Sequence, residues 1–347
     1  MKALVLEDYK RLELREVPPP PLSANDVLVS VKACGICGSD VHGFDGSTGR
    51  RRPPIIMGHE ASGTIQQVGD KVTSWRAGDR VTFDSTIYCN ACAACRSGQI
   101  NLCVNRRVFG VSCEAYRQNG AFAEFVAVPQ HLLLRLPDSL DYRHAAMVEP
   151  LSIAFHAVRR AKAATGSTAV VVGAGIIGLL VVQALRLQGC RQIVAVDIAP
   201  DKLEVAKSVG ATAIVNSAAA NAIESIRSLT DGKGADVAFE AVGIAPTIDL
   251  AIRSVRDAGS VALIGNVSPQ TSIPLQIVVG RELTLYGSCA SCGEYPACLE
   301  AIARRDIQID PLITATAPLA DGPEWFDRLY AKEPGLLKVI LEPSSSG

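Results

Sequence analysis

The feature that most restricts the fold is the turn Gly173-Ala174-Gly175-Ile176-Ile177-Gly178, set between an apolar run at 169–173 (AVVVG) and a helical run at 176–189. Gly173 permits a tight turn, Gly175 withholds a side chain so that a pyrophosphate can approach the backbone, and Gly178 lets helix and strand pack closely. Ile176 and Ile177 begin the helix, whose unpaired N–H groups and partial positive charge suit phosphate. The next apolar run, QIVAVD at 192–197, ends on Asp197. A carboxylate there can accept both adenosine ribose hydroxyls and repels a 2′-phosphate, which points to NAD over NADP. Lys202 either supports the same ribose or is a solvated helix lysine.

The alternation continues beyond this unit. Helical stretches at 200–210, 219–229 and 246–256 alternate with short apolar strands at 213–215, 235–242, 260–265 and 282–288. Buried strands alternating with helices predict a doubly wound parallel sheet. The first third differs. Strands are expected at 1–6, 27–33, 61–68, 79–83 and 121–128, punctuated by Gly and Asp as in a compact β-barrel-like domain. The tail 289–347 offers one helical stretch near 295–305 and one strand near 336–341, too little for a domain, so it is expected to pack back onto the first. The closing SSSG is expected to be mobile.

Lys plus Arg number 34 and Asp plus Glu 35, so the formal net charge is −1. Such a chain lacks the basic field that holds phosphodiester backbones, which argues against nucleic-acid binding. No apolar stretch is long enough for a membrane span, and the N-terminus turns polar too soon for a secretory signal. A cytoplasmic protein is expected, and its 11 cysteines are then thiols or metal ligands before they are disulfides.

Cys89, Cys92, Cys95 and Cys103 follow C-x2-C-x2-C-x7-C. Four thiolates close a tetrahedron around zinc and leave no open position, so this set reads as a structural clamp. An iron–sulfur cluster is the alternative, but no electron-transfer module accompanies it. A second, dispersed set comprises Cys37 in CGICGSD, His59 and Glu60 in MGHE, and Glu149 in VEPLS. Thiolate, imidazole and carboxylate with an exchangeable position describe a catalytic zinc, a Lewis acid able to acidify a bound alcohol. Cys34 reads as a core thiol, and Cys289 with Cys292 as a C-x-x-C without partners nearby.

The GHE turn, the cysteine clamp and the glycine motif with its acid, in this order, resemble the zinc-containing medium-chain alcohol dehydrogenases. CGICGSDVH and VEPLSIAFHAV are most similar to sorbitol (polyol) dehydrogenases. The resemblance implies an α/β protein with a GroES-like β-rich catalytic domain (1–152 and 289–347) and an inserted Rossmann NAD-binding domain (153–288), with the active site in the cleft between them. It implies catalytic zinc on Cys37 and His59, with Glu60 and Glu149 as competing carboxylate ligands. It also implies a proton relay through Ser39, the cofactor ribose and His42, and nicotinamide contacts near Gly265, Ser288 and Cys289. A homodimer or homotetramer is implied as well.

The chain departs from the polyol pattern in two places. Gly43 and Phe44 stand where sorbitol dehydrogenases carry pocket-shaping aromatics. Arg50, Arg51 and Arg52 form a run that is either a solvated loop or a recognition site for an anionic substrate. The expected reaction oxidises a secondary alcohol of a polyol to a ketone. L-threonine, a vicinal diol or a phosphorylated polyol are rival substrates, and an NAD-binding sensor is the non-enzymatic rival.

Overall fold

The computed structural model describes residues 1–343, so the expectation for the SSSG tail lies outside the described residues. The chain divides into two compact units. One holds Met1–Glu149, Tyr295–Arg304 and the chain from Leu312 on; the other holds Pro150–Glu294 and Arg305–Pro311. The second unit therefore overruns the expected bounds 153–288 on both sides. Side-chain ties account for this. Glu294 pairs with His156 and Arg159, and the Gln183 amide exchanges hydrogen bonds with the Gln308 backbone at 3.0 and 2.7 Å.

The first unit is built on a seven-stranded sheet. Its spatial order is Leu133–Arg135, Arg80–Phe83, Glu60–Val68, Asp26–Gly35, Lys338–Glu342 and Ile313–Pro318, with Phe125–Pro129 also paired to Asp26–Gly35. Alternate residues Val27, Val29 and Val31 are buried, as period-2 packing on one face requires. Each such side chain contributes about 1.5–3 kcal/mol by leaving water. The expected strand at 121–128 begins only at Phe125. Ala121 and Phe122 instead spend their N–H groups on the carbonyls of Gly58 and Met57, closing the segment over the GHE turn.

The tail returns to this unit with more structure than its sequence suggests. Besides Lys338–Glu342 it supplies the strand Ile313–Pro318 and the helix Gly322–Tyr330. A Gly-Pro start reads as a turn, yet proline is well tolerated in a first helical turn. Phe326 of that helix is fully buried and packs 5.6 Å from Phe44 and 5.8 Å from Phe122. Phe44 is thus a core residue.

The second unit is a six-stranded parallel sheet. Numbered by chain order, Thr168–Val172, Gln192–Asp197, Ala213–Asn216, Ala235–Glu240, Val255–Leu263 and Thr284–Gly287 lie 3-2-1-4-5-6. This is the Rossmann order, whose ligand crevice lies beyond the carboxyl ends of strands 1 and 4. Thr168–Val172 is buried throughout, as a strand covered on both faces must be. No helix among the described residues is long and apolar enough to cross a membrane.

Candidate active site

Backbone pairing brings the dispersed ligands together. Cys37 follows the strand Asp26–Gly35 and opens the short helix Gly38–Gly43. His59 precedes the strand Glu60–Val68, whose first residue pairs with Gly35. One ligand atom from each of Cys37, His59 and Glu60 then falls within 4.8 Å of the others. Gly35 is required here, since a Cβ on it would lie 2.2 Å from Glu60 Oε2. His59 Nδ1 is buried and makes no hydrogen bond. A thiol, an imidazole and a carboxylate at this spacing fit a zinc ion.

Lys338 is a member of this site that sequence reading missed. Its Nζ donates to Glu60 Oε1 at 2.8 Å, to Oε2 at 2.6 Å and to the Ile36 carbonyl at 2.9 Å. Burial pulls its ammonium down, but Glu60 and Cys37 outweigh that and hold it above its ordinary value. Burial first, and Glu60 second, push the Cys37 thiol well up. A bound cation reverses that penalty by deprotonating the thiol outright.

Glu149 is buried but lies outside the three-residue cluster. Its Oε1 accepts from Ser85 Oγ at 2.9 Å, and the Ser85 N–H donates to Tyr295 Oη at 3.1 Å. Burial raises the Glu149 carboxyl to about 7, with His59 opposing and Glu60 adding to the rise. Of the two competing carboxylates, Glu60 stands with Cys37 and His59, and Glu149 stands on Ser85.

The arginine run separates into different roles. Arg50 and Arg52 are exposed. Arg51 is buried, with Nη2 at 2.8 Å from Asp40 Oδ1 and 3.2 Å from Ser39 Oγ. It is neither solvated nor available to an anionic substrate. Asp40 Oδ2 faces His59 Nδ1 at 3.6 Å. Ser39 and His42 are both exposed on the helix that Cys37 opens.

The cysteine lobe forms a second cluster, with one sulfur from each of Cys89, Cys92, Cys95 and Cys103 all within 4.8 Å. Cys92 and Cys95 sulfurs are 3.5 Å apart, as are those of Cys89 and Cys103. Backbone N–H groups of Ala91 and Cys92 lower Cys89 to about 6. Loss of hydration and the sulfurs of Cys92 and Cys103 push Cys95 up to about 12. Four sulfurs and no other group match a closed structural zinc site.

In the second unit, Gly173 adopts φ +98°, and a Cβ on Gly178 would lie 1.7 Å from the Gly173 carbonyl oxygen. Gly175 caps the helix Ile176–Leu187, and a Cβ there would meet nothing within 4 Å, so the space before the helix N-terminus is open. Ile176 and Ile177 are half-buried in the first helical turn, and Lys202 is half-buried on the helix Pro200–Ser208. Asp197 Oδ2 accepts from Ala174 N at 2.6 Å and Oδ1 from Ala199 N at 2.9 Å, so the acid also braces the glycine turn. Gly265 N donates to the Glu240 carbonyl at 3.0 Å, and Ser288 N to the Leu263 carbonyl at 3.0 Å. Ser288 Oγ is buried without a hydrogen bond, and Cys289 is exposed. Sequence reading also missed Glu240, whose Oε1 accepts from Val242 N and Gly243 N at 2.9 and 2.8 Å and so shapes the loop beside Gly173.

Two family models match the chain, the alcohol dehydrogenase GroES-like domain over residues 23–138 and the zinc-binding dehydrogenase over 177–304. The chain is 34% identical to a sorbitol dehydrogenase of Bacillus subtilis (strain 168), covering 99% of this chain and 98% of that one. The chain belongs to the zinc-binding dehydrogenase family. This zinc-binding dehydrogenase is also 36% identical to an L-idonate 5-dehydrogenase of Vitis vinifera, over 88% of this chain and 84% of that one. Among solved structures, alcohol dehydrogenase TADH from Thermus sp. ATN1 superposes with a TM-score of 0.92 at 32% identity, covering 99% of each chain.

Proposed function

We propose that the protein oxidises a secondary alcohol of a polyol to a ketone, with zinc held by Cys37, His59 and Glu60. The observation that carries this reading is the convergence of those three ligand atoms within 4.8 Å. Relatives named for sorbitol and L-idonate support a polyol substrate. Arg51, committed to Asp40, is not free to bind a phosphorylated substrate, which leaves only Arg50 and Arg52 of that run for such a role.

When bound, zinc would supply Lewis acidity at the substrate hydroxyl and NAD a hydride acceptor. The residues of the chain divide the remaining work. Cys37 and His59 would hold the metal from two adjacent segments. Glu60, paired with Lys338, would be the third ligand, and Glu149, held by Ser85, would be the acid that exchanges with it. Ser39 would accept the hydroxyl proton while passing its own to the cofactor ribose, and His42 would carry a proton from there to solvent. Cys89, Cys92, Cys95 and Cys103 clamp a second zinc that steadies their loop. On the second unit, the Gly173–Gly178 turn would cradle the pyrophosphate of NAD. Asp197, with Lys202, would hold the adenosine ribose, and Gly265, Ser288 and Cys289 would contact the nicotinamide.

The first unit is the catalytic domain in this reading and the second the NAD-binding domain. The exposed edge strand Thr284–Gly287 and the exposed Leu275 and Val279 suit pairing with a second copy, as a homodimer or a tetramer of dimers. A reducing compartment such as the cytoplasm suits Cys37 and the four clamp cysteines, none of which is in a disulfide.

The test combines zinc analysis with a substrate panel followed at the NADH absorbance. The panel holds sorbitol, xylitol, L-idonate, 2,3-butanediol, L-threonine and a sugar-alcohol phosphate. Two zincs per chain and preferential NAD reduction by a free polyol are expected. Turnover that survives full zinc removal would refute the mechanism. NAD binding without turnover of any alcohol would favour a sensor.

A further inference from the structure

Arg51 is 3% exposed, although it lies in a run of three arginines. A guanidinium leaves water only where its donors are engaged. Here Nε and Nη2 both donate to Asp40 Oδ1, at 3.0 and 2.8 Å, and Nη2 also donates to Ser39 Oγ at 3.2 Å. Nη1 donates to the Arg50 carbonyl at 3.1 Å. The other Asp40 oxygen, Oδ2, accepts the Cys37 backbone N–H at 3.4 Å and stands 3.6 Å from His59 Nδ1. One side chain from outside the ligand segments thus contacts the acid that faces both Cys37 and His59, and touches Ser39 as well.

We propose that Arg51 is a positioning residue of the metal site: its guanidinium clamps Asp40 between the Cys37 turn and His59 and fixes the Ser39 hydroxyl, and Gly43 makes room for it. The inference deepens the dehydrogenase reading and rests on it for the role of Ser39.

Three features of the structure support the clamp. The first is delivery. Ser112 N donates to the Arg50 carbonyl at 3.2 Å and Arg52 N to the Ser112 carbonyl at 3.0 Å, so the arginine sits on pinned backbone. The second is space. A Cβ on Gly43 would lie 2.3 Å from Arg51 Cγ and 3.1 Å from its Cβ. Any side chain at 43 expels the arginine stem, so the departure from the polyol pattern at Gly43 and the burial of Arg51 have one cause.

The third is hydroxyl chemistry. Ser39 has one proton and two lone pairs. With Nη2 on one lone pair, the serine proton turns away from Arg51 and the second lone pair stays open to a substrate hydroxyl. The hydroxyl is then set to pass a proton in one direction. Lysine at 51 keeps the charge but lacks the planar fork that spans Asp40 and Ser39 together.

The experiment uses the full-length enzyme as R51K, R51M and G43V. Each is measured for zinc retained against increasing chelator, for kcat and KM, for the solvent deuterium isotope effect, and for NADH affinity as a folding control. R51M is expected to release the catalytic zinc at about 10–100-fold lower chelator, with kcat lowered in the same range, because residues that orient metal ligands typically carry effects of this size. G43V is expected to reproduce R51M with the arginine still present. R51K is expected to retain zinc better than R51M, yet lose kcat with little change in KM and a larger isotope effect.

Should R51M or G43V fail to fold, R51K decides. A folded R51K with zinc retention, kcat and isotope effect all within twofold of wild type overturns the proposal. A wild-type protein that holds both zincs but oxidises no alcohol defeats the functional reading instead, and zinc retention in R51K and R51M still tests the clamp.

Discussion

Lys338 and Glu60 meet across Gly35, with the lysine Nζ 2.8 and 2.6 Å from the two carboxylate oxygens and both side chains at most 2% exposed. The strand Asp26–Gly35 lies between their two strands, and only a residue without a side chain lets them touch over its end. The same carboxylate offers an oxygen within 4.8 Å of the Cys37 and His59 donor atoms. In the proposed reading Glu60 would therefore be shared between a fixed cation supplied by the fold and a metal cation supplied from solution.

Removing the fixed cation should be costly. Lys338→Met leaves Glu60 buried and unpaired in the metal-free protein, and a loss of about 3–5 kcal/mol is expected. The double variant Lys338→Met/Glu60→Gln should recover much of that loss, because no charge is then stranded. Urea unfolding of the four chelator-treated proteins completes the double-mutant cycle. Strict additivity would show that the pair does not act as a unit.

Glu149 makes the metal-free protein sensitive to pH. Its carboxyl is raised from 4.5 to about 7 by burial, with Glu60 adding to the rise and His59 opposing it. The folded state thus binds this proton more tightly than the unfolded chain does. The stability it contributes is fully present below pH 4.5 and is lost as pH rises through 7. The full difference is on the order of 3 kcal/mol. Chelator-treated Glu149→Gln should lack this component between pH 5 and 8 in urea unfolding. An unchanged pH dependence in the variant would place the effect elsewhere.

What could be read in the chain follows how local each feature is. The glycine turn and Asp197 lie within one strand–helix–strand unit, so spacing alone revealed them. Cys37, His59 and Glu60 were legible as residue types, but their meeting depends on the Gly35–Glu60 pairing. Lys338 sat unnoticed in the apolar run LLKVIL, because its partner is 278 positions away. Arg51 was hidden by two exposed arginines beside it, and only the space over Gly43 distinguishes it. The helix Gly322–Tyr330 was obscured by its Gly-Pro start.

The cysteine lobe should come apart independently of the catalytic cluster. Cys103→Ser removes one of four sulfurs, and zinc content is expected to fall by one per chain. The loop around the helix Ala93–Arg96 then loses its clamp, and trypsin should cut at the exposed Arg96 faster than in wild type. Cleavage is read by mass spectrometry alongside zinc analysis. A variant that keeps both zincs and resists trypsin would remove the structural role assigned to these four residues.

Asp197 braces the glycine turn, and a second role in nucleotide choice is assigned to it in the proposed reading; two substitutions test the two. Its oxygens hold the N–H groups of Ala174 and Ala199 at 2.6 and 2.9 Å, and a carboxylate at the end of this strand would repel a 2′-phosphate. Asp197→Asn keeps one acceptor oxygen, enough for one of the two turn N–H groups, and loses the charge. It should lower the preference for NADH over NADPH about 10-fold or more, by removing charge-assisted bonds to the ribose that are typically worth about 1.5–3 kcal/mol each. Asp197→Ala also releases the turn, so affinity for both nucleotides should fall. Fluorescence titration with NADH and NADPH measures each ratio directly. If Asp197→Asn leaves the ratio where it was, the acid serves the turn alone and nucleotide choice is made by other residues.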